Sequence, residues 1–254
     1  MKISLSIKPD KETNKIVKFL KRVQKTTKID RVVVGISGGI DSTTVFYLLE
    51  RAYKPENIYP AILNFYPKDN TLIKKILTGA HIPKENILDL SIKPMVAEIE
   101  KRLSANSIRK GNIMARVRMI VLFDLAKKVN GLVCGTENRS ERLLGYFTRF
   151  GDAASDIEPI TYLYKTQLYQ LASFLEVPKA IIKAAPTAGL WNNQTDEKEF
   201  GFSYRDADQV LHFYVDRRIK AEKIKKMGLK NAKKIIDFVE KNLFKQKVPY
   251  RFSG

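Results

Sequence analysis

The chain has 254 residues, with 46 Lys and Arg against 27 Asp and Glu, which gives a net charge of +19. This length suits one α/β domain with a sizeable core, or at most two small domains. The single cysteine, Cys134, excludes a disulfide framework within one chain, and two distant histidines argue against a zinc site. We expect a cytoplasmic protein, because neither a secretory signal nor a membrane span of roughly 18–20 apolar residues is recognisable.

The positive charge is concentrated near the C-terminus. Residues 217–254 contain 13 Lys and Arg against 3 Asp and Glu. Such a segment is a solvated helix face, a source of positive field for polyanionic small molecules, or a nucleic-acid-binding surface. Nucleic-acid binding is the least favoured of the three, since aromatic side chains are not interleaved with these lysines in a stacking pattern.

Strand-like and helical stretches alternate along the chain, which predicts a parallel sheet with helices on both faces. The predicted strands are 32–36, 58–65, 86–90 and 132–135. The predicted helices are 11–28, 43–49, 72–77, 96–103, 112–129, 165–175, 206–215 and 231–244. Between them, the polar segment 186–202 is predicted to be a mobile loop. The expected fold class is therefore α/β, a single doubly wound, Rossmann-like domain over residues 1–254 with extra N- and C-terminal helices.

A glycine-rich loop follows the first predicted strand and reads Gly35-Ile36-Ser37-Gly38-Gly39-Ile40-Asp41-Ser42. Glycines permit a tight turn, and the backbone N–H groups of such a turn, together with the helix N-terminus behind it, favour a bound phosphate. The loop has neither the lysine of G-x-x-x-x-G-K-[ST] nor the spacing of G-x-G-x-x-G. It resembles the S-G-G-x-D-S loop of the N-type ATP pyrophosphatases, which transfer AMP from ATP. Asp41 is then either a helix N-cap or a Mg²⁺ ligand.

A second polar segment, Gly135-Thr136-Glu137-Asn138-Arg139-Ser140-Glu141, follows the last predicted strand. Ligands of open α/β sheets bind at the carboxyl ends of the strands, so this segment and the glycine-rich loop should share one rim. It offers a hydroxyl group and carboxylates to a nucleotide.

Further short motifs complete a family resemblance over roughly residues 31–208. In chain order they are Lys110-Gly111-Asn112, Ala115–Met119, Gly145–Ile160, Leu163–Thr166, Pro186-Thr187-Ala188 and 190–197. Together with the two polar segments they resemble the ammonia-dependent NAD synthetases, whose fold is adenine nucleotide alpha hydrolase-like. The resemblance implies that the nicotinate carboxylate of deamido-NAD attacks the α-phosphate of ATP and releases pyrophosphate. Ammonia would then displace AMP and give NAD.

The resemblance also implies roles for individual residues. Asp41 and Glu141 match Mg²⁺ ligands, and Asp41 and Lys165 match catalytic positions. The positions that match ATP contacts are Gly35, Ile36, Ser37, Gly38, Gly39, Ile40, Asp41, Ser42, Thr136, Lys165 and Thr187. The positions that match contacts to deamido-NAD are Arg116, Arg149, Asp156, Phe244 and Lys245.

Structural roles compete with some of these assignments. Glu141 is alternatively a helix-start acid, favoured by the helix dipole, and Lys165 is alternatively a solvated helix lysine. Arg116 and Arg118 are alternatively surface charges. Phe244 stands where the family often has histidine, and its ring cannot make a histidine's hydrogen bond.

The resemblance implies Mg²⁺ as cofactor, ATP and deamido-NAD as substrates, and a symmetric homodimer. About 30 residues precede the first predicted strand, too few for a glutamine-hydrolysing module, so ammonia is the expected nitrogen donor. A tRNA-modifying enzyme of the same ATP pyrophosphatase class is one rival, although the lone cysteine disfavours thiolation. A non-enzymatic nucleotide sensor or nucleic-acid-binding module is another, although it would need neither Asp41 nor Glu141.

Overall fold

A parallel four-stranded sheet forms the centre of the computed structural model, which describes residues 3–191 and 194–252. The strands are β1 Arg31–Gly35, β2 Ile58–Asn64, β3 Leu88–Ser91 and β4 Gly131–Cys134, in the order β3-β2-β1-β4. β1 lies between β2 and β4, and its three consecutive valines are all buried, as is typical of a strand covered on both faces. The loops that follow β1, β2 and β4 therefore leave the same edge of the sheet side by side.

The helices of the described residues are α1 Pro9–Thr27, α2 Ile40–Leu49, α3 Thr71–Gly79, α4 Lys93–Leu103, α5 Ser107–Val129, α6 Arg139–Leu144, α7 Lys165–Phe174, α8 Lys179–Lys183, α9 Asp196–Phe200, α10 Tyr204–Leu211, α11 Ala221–Lys226 and α12 Ala232–Asn242. Short 3₁₀ helices lie at Pro55–Asn57, Lys84–Asn86 and Leu243–Gln246, and a π-helical turn, His212–Asp216, extends α10. None of these helices is both long and apolar enough to cross a membrane.

Helices cover both faces of the sheet. On one face α1, α2 and α7 contribute Leu20, Phe46 and Leu168 to the largest core cluster. On the other face α4 and α5 contribute Val96 and Met114. The single α/β domain with a parallel sheet, expected from the sequence, is confirmed.

A separate apolar cluster joins α6, α10 and α12 in the C-terminal part of the chain. α12 buries Ile235, Ile236 and Val239, and leaves Lys233 and Lys234 exposed. These lysines of the basic segment therefore form the solvated face of an amphipathic helix.

The segment 186–202 differs from its sequence-based prediction. The prediction of a mobile loop was wrong over Asp196–Phe200, because these residues form α9. The Phe200 ring packs edge-on against Tyr146 and Tyr204, so α9 is anchored in the C-terminal core. Asn192 and Asn193 lie outside the described residues. The helices α6, α8 and α11 were also missed, because five or six residues are too few to display a helical period.

Candidate functional site

A cavity of about 510 Å³ opens at the carboxyl ends of β1, β2 and β4. This volume is typical of a small-molecule site, and its position is where open α/β sheets bind ligands. Every residue that the sequence matches to an ATP or Mg²⁺ contact lines it: Gly35, Ile36, Ser37, Gly38, Gly39, Ile40, Asp41, Ser42, Thr136, Glu141, Lys165 and Thr187. The structure therefore brings together residues that are up to about 150 positions apart in the chain.

The glycine-rich loop is held by its own serines. The Ser37 N–H donates to Ser42 Oγ at 3.2 Å, and the Gly39 N–H donates to Ser37 Oγ at 3.2 Å. Gly38 has a φ of +76°, which disfavours residues with a Cβ atom. Gly39 is the N-cap of α2 and has no side chain to bond the free N–H groups of the first turn. Those groups therefore remain available to an anion.

Asp41 is not a helix N-cap, since it lies in the first turn of α2 and its carboxylate points elsewhere. Asp41 Oδ1 accepts from Asn138 Nδ2 at 2.8 Å, and Oδ2 accepts from Lys165 Nζ at 2.6 Å. Lys165 Nζ also donates to Glu141 Oε1 at 3.2 Å. We refer to Asp41, Glu141 and Lys165 as the carboxylate–lysine cluster.

Lys165 is not a solvated helix lysine, because only 2% of its side chain is exposed. Burial alone would lower the pKa of this lysine, but Asp41 and Glu141 outweigh burial and raise the pKa above its ordinary value. Two facing carboxylates are thus held around one buried positive charge. Hard carboxylate oxygens directed at one cation are the kind of donor set that Mg²⁺ prefers.

Glu141 is the helix-start acid that the sequence offered as an alternative, and its carboxylate also reaches Lys165. At the start of α6 it forms a capping box, in which Asn138 Oδ1 accepts from the Glu141 N–H and Glu141 Oε2 accepts from the Asn138 N–H. Its other oxygen, Oε1, faces Lys165. Asn138 is fully buried and donates to both carboxylates, from its side-chain Nδ2 to Asp41 and from its backbone N–H to Glu141, so this residue orients both.

The backbone of Lys165 is fixed by a buried acid that the sequence analysis missed. Asp208 of α10 accepts from Ser140 Oγ at 2.5 Å and from the Thr166 N–H at 2.9 Å. Ser140 Oγ in turn accepts from the Lys165 N–H at 2.8 Å. The start of α7 is therefore connected to α6 and α10, which explains how Lys165 keeps its position.

The positions matched to deamido-NAD contacts do not line the cavity. The Arg149 guanidinium lies over the Phe244 ring, 5.1 Å from its centroid, and Arg116 Nη2 donates to the Arg149 carbonyl at 3.3 Å. Lys245 Nζ donates to the carbonyls of Gly145 at 2.8 Å and Phe147 at 3.2 Å. We refer to Arg116, Arg149, Phe244 and Lys245 as the outer basic cluster. Asp156 is exposed and accepts from the Val133 N–H at 2.8 Å.

Comparison with known proteins identifies the family. The model of the NAD synthase family matches residues 12–249. The chain belongs to the NAD synthase family.

Two relatives within this family show how much of the chain is shared. The NH₃-dependent NAD⁺ synthetase of Thermococcus sibiricus is 38% identical over 94% of this chain and 95% of its own length. The enzyme of the same name from Pyrococcus furiosus is 40% identical over 91% of this chain and 88% of its own length.

Solved structures agree with this membership. The NMN synthetase of Francisella tularensis has a TM-score of 0.82 and 29% identity, covering 98% of this chain and 100% of that one. The NH₃-dependent NAD synthetase of Campylobacter jejuni, in complex with the nitrate ion, has a TM-score of 0.80 and 27% identity, covering 97% and 100%.

Several cavity residues of this family member were missed by the sequence analysis. Lys68 reaches the glycine-rich loop from the connection between β2 and α3, and Arg118 lines the cavity where Arg116 does not. Asp196 of α9 also lines the cavity and accepts from Tyr204 at 2.9 Å. Arg118 and Asp196 lie within motifs of the family resemblance, whereas Lys68 carries no such sequence signal.

Proposed function

We propose that this protein makes NAD from deamido-NAD, ATP and ammonia, and releases AMP and pyrophosphate. A nicotinate carboxylate oxygen forms a bond to the α-phosphorus of ATP as the bond to pyrophosphate breaks. The nitrogen of ammonia then bonds to the acyl carbon, loses a proton, and AMP leaves with the acyl C–O electron pair. The names of the relatives support this reaction, and the carboxylate–lysine cluster beside the phosphate-binding loop is the observation that carries it.

The protein's own contribution is positioning and charge neutralisation. The loop N–H groups and the start of α2 bind the phosphate chain, and Lys165 places a fixed positive charge beside it. No covalent nucleophile is required. The thiol that lines the cavity, Cys134, is buried, and burial raises its pKa well above the ordinary value, which makes a thiolate unfavourable.

The chemistry of the carboxylate–lysine cluster fits a magnesium ion bound together with ATP. Asp41 and Glu141 would hold the ion through their carboxylate oxygens, and phosphate oxygens and water would complete its ligands. The ion supplies positive charge that neutralises the phosphates when bound. Asn138, which donates to both carboxylates, would keep them oriented toward the ion.

Deamido-NAD would meet the outer basic cluster, next to a dimer interface. Ile108, Arg116 and Ile120 occupy one face of α5, at helical spacing, and the two isoleucines are 66% and 58% exposed. Phe150, which follows Arg149, is also exposed. A second copy of the chain that covers this face would bury the isoleucines and bring Arg116 and Arg149 to the interface, as expected for an isologous dimer. We propose that this homodimer is cytoplasmic and that its nitrogen donor is free ammonia. Each chain would be a single NAD synthetase domain over residues 1–254.

The dimer is tested by light scattering on Ile108→Glu/Ile120→Glu, with the exposed Leu72→Glu as a matched control. The double variant should become monomeric and bind deamido-NAD more weakly while its ATP binding is retained. A double variant that remains dimeric would exclude this face as the interface.

The reaction is tested by incubating purified protein with ATP, Mg²⁺, deamido-NAD and ammonium, and following NAD, AMP and pyrophosphate. Equal amounts of the three products are expected. Glutamine replaces ammonium in one arm and should give no NAD. The acid corresponding to NMN replaces deamido-NAD in another arm, because the Francisella tularensis structure is described as an NMN synthetase. Preferential turnover of that acid, or no consumption of ATP, would overturn the proposal.

A further inference from the structure

Lys68 reaches the glycine-rich loop from the connection between β2 and α3. Its Nζ donates to the Ser37 carbonyl at 2.6 Å, and a Cβ atom added to Gly38 would lie 3.2 Å from this Nζ. The ammonium group therefore lies over the turn whose N–H groups face the cavity. The loop itself contains no lysine.

The fold, rather than a local motif, places Lys68 there. β2 pairs with β1 in parallel, with Gly35 opposite Ala61, so the two following loops leave the sheet together. The connection that carries Lys68 is closed by a hydrogen bond from Asn64 Nδ2 to Asn70 Oδ1 at 3.2 Å. Asp69 Oδ1 accepts from the Thr71 N–H at 2.8 Å and adds a second constraint next to Lys68.

Lys68 and Lys165 differ in their charge environment. Lys165 is bonded to two carboxylates, whereas Lys68 has no carboxylate within ion-pair distance among the described residues. Partial desolvation, followed by the positive charge of Arg118, lowers the pKa of Lys68 from its ordinary value. A cation in this environment is stabilised by an arriving anion, and a phosphate oxygen is a strong partner for an ammonium group.

We propose that Lys68 binds the phosphate chain of ATP at the Ser37–Gly39 turn and supplies the positive charge that the glycine-rich loop lacks. This inference rests on the proposed function for the identity of the nucleotide. It assigns the two lysines different roles, since Lys165 holds the two carboxylates and Lys68 contacts phosphate. The reaction itself is unchanged, because Lys68 contributes binding and takes part in no bond-making step.

The test compares Lys68→Met, which removes the charge at similar length, with Lys68→Arg, which keeps it. Lys75→Met is the matched control, since it removes one exposed positive charge from the adjacent helix α3. Calorimetry with Mg²⁺ measures the affinity for three probes: ATP, inorganic pyrophosphate and AMP. Thermal unfolding of each variant is measured in parallel.

Lys68→Met should weaken ATP and pyrophosphate roughly 10- to 100-fold, as expected for loss of a charged hydrogen bond, with AMP changed less than about threefold. Lys68→Arg should recover most of this affinity, and Lys75→Met should behave as the unmodified protein. If Lys68 only fastened the Ser37 carbonyl, the loss would be similar for all three probes and the melting temperature would fall. Either that result or unchanged pyrophosphate binding would overturn the inference.

The two proposals fail separately. A protein that makes NAD while Lys68→Met binds pyrophosphate normally would refute the role of Lys68 and leave the reaction standing. A protein that makes no NAD but binds pyrophosphate through Lys68 would refute the reaction and leave the anion contact standing.

Discussion

The carboxylate–lysine cluster and the outer basic cluster differ in what their charged groups bind. In the first, Lys165 bonds both Asp41 and Glu141, and Asn138 donates to both carboxylates. In the second, Arg149 lies on an aromatic ring and Lys245 bonds two backbone carbonyls. The charges of the first cluster therefore depend on one another. Those of the second are held by neutral groups and leave positive charge available to an anionic substrate.

Removing either carboxylate should have the largest effect, because each is a proposed Mg²⁺ ligand. Asp41→Asn and Glu141→Gln should each lower kcat/KM about 10³-fold or more, while the circular dichroism spectrum is unchanged. NAD formation at saturating ATP is the measurement. Asp124→Asn, an exposed acid on α5, should leave turnover unchanged. Retained NAD synthesis in both variants would remove the carboxylates from the proposed Mg²⁺ site.

Replacing Lys165 tests the mutual dependence of these charges without relying on turnover. Lys165→Met leaves Asp41 and Glu141 facing each other with no cation, which should cost about 3–5 kcal/mol in the free energy of unfolding. For a chain of this size the melting temperature should fall by about 10 °C. Mg²⁺ should restore part of that loss and stabilise the variant more than the unmodified protein. If Mg²⁺ stabilises both proteins equally, Lys165 and Mg²⁺ do not share the carboxylates of Asp41 and Glu141.

Glu137 and Glu158 lack a buried cation like Lys165, since the nearest cation to Glu137 is the half-exposed Arg142, whose Nη1 lies 3.6 Å from Glu137 Oε2. The stability of the protein should therefore depend on the ionisation of these acids. Glu137 Oε1 and Glu158 Oε2 are buried and have no hydrogen-bond partner among the described residues. Burial, and then the charge of Glu158, raises the pKa of Glu137 to about 8. A raised folded-state pKa means that the unfolded chain releases its proton first, so stability is full below about pH 4.5 and is lost as the pH rises to about 8.

Glu137→Gln should therefore flatten this decline. We expect the variant to be more stable than the unmodified protein by about 1–3 kcal/mol at pH 8, and to differ little at pH 4.5. Urea unfolding at both pH values is the measurement. Glu98→Gln, an exposed acid on α4, is the control and should leave the pH dependence unchanged. If the stability of Glu137→Gln falls with pH as steeply as that of the unmodified protein, Glu137 is ionised in the folded protein.

Sequence reasoning predicts some residues of the cavity and misses others. The glycine-rich loop and the segment after β4 are local patterns at strand ends, and the parallel sheet makes them adjacent. Their matched residues therefore meet in one cavity. Lys68 carries no local motif, and its place follows from a strand pairing and the closure of one connection. Short helices such as α9 depend on the packing of a single ring, Phe200, which no hydropathy period reveals.

Phe244 and Lys245 show a further limit of prediction from motifs. A motif match transfers residue type, whereas the partner of a long side chain depends on the loop that faces it. Here the 3₁₀ helix Leu243–Gln246 packs on the loop that carries Arg149. Lys245 bonds Gly145 and Phe147, and Gln246 Nε2 donates to the Leu143 carbonyl at 3.0 Å. These contacts indicate that this helix positions the loop, in addition to any contact with substrate.

The smallest expected effect separates positioning by Phe244 from direct binding. Phe244→Leu removes a half-exposed cation–π contact to Arg149, which is worth about 0.5–1 kcal/mol, so the KM for deamido-NAD should rise about two- to fivefold. The KM for ATP and kcat should stay unchanged, and Phe244→Tyr should restore the lost affinity because it keeps the ring. The control is Phe174→Leu, since this exposed ring lies at the end of α7, outside the outer basic cluster. If Phe244→Leu leaves kcat and both KM values unchanged, the Phe244 ring does not position Arg149 for substrate binding. If Phe244→Tyr is as impaired as Phe244→Leu, the contact is not made by the face of the ring.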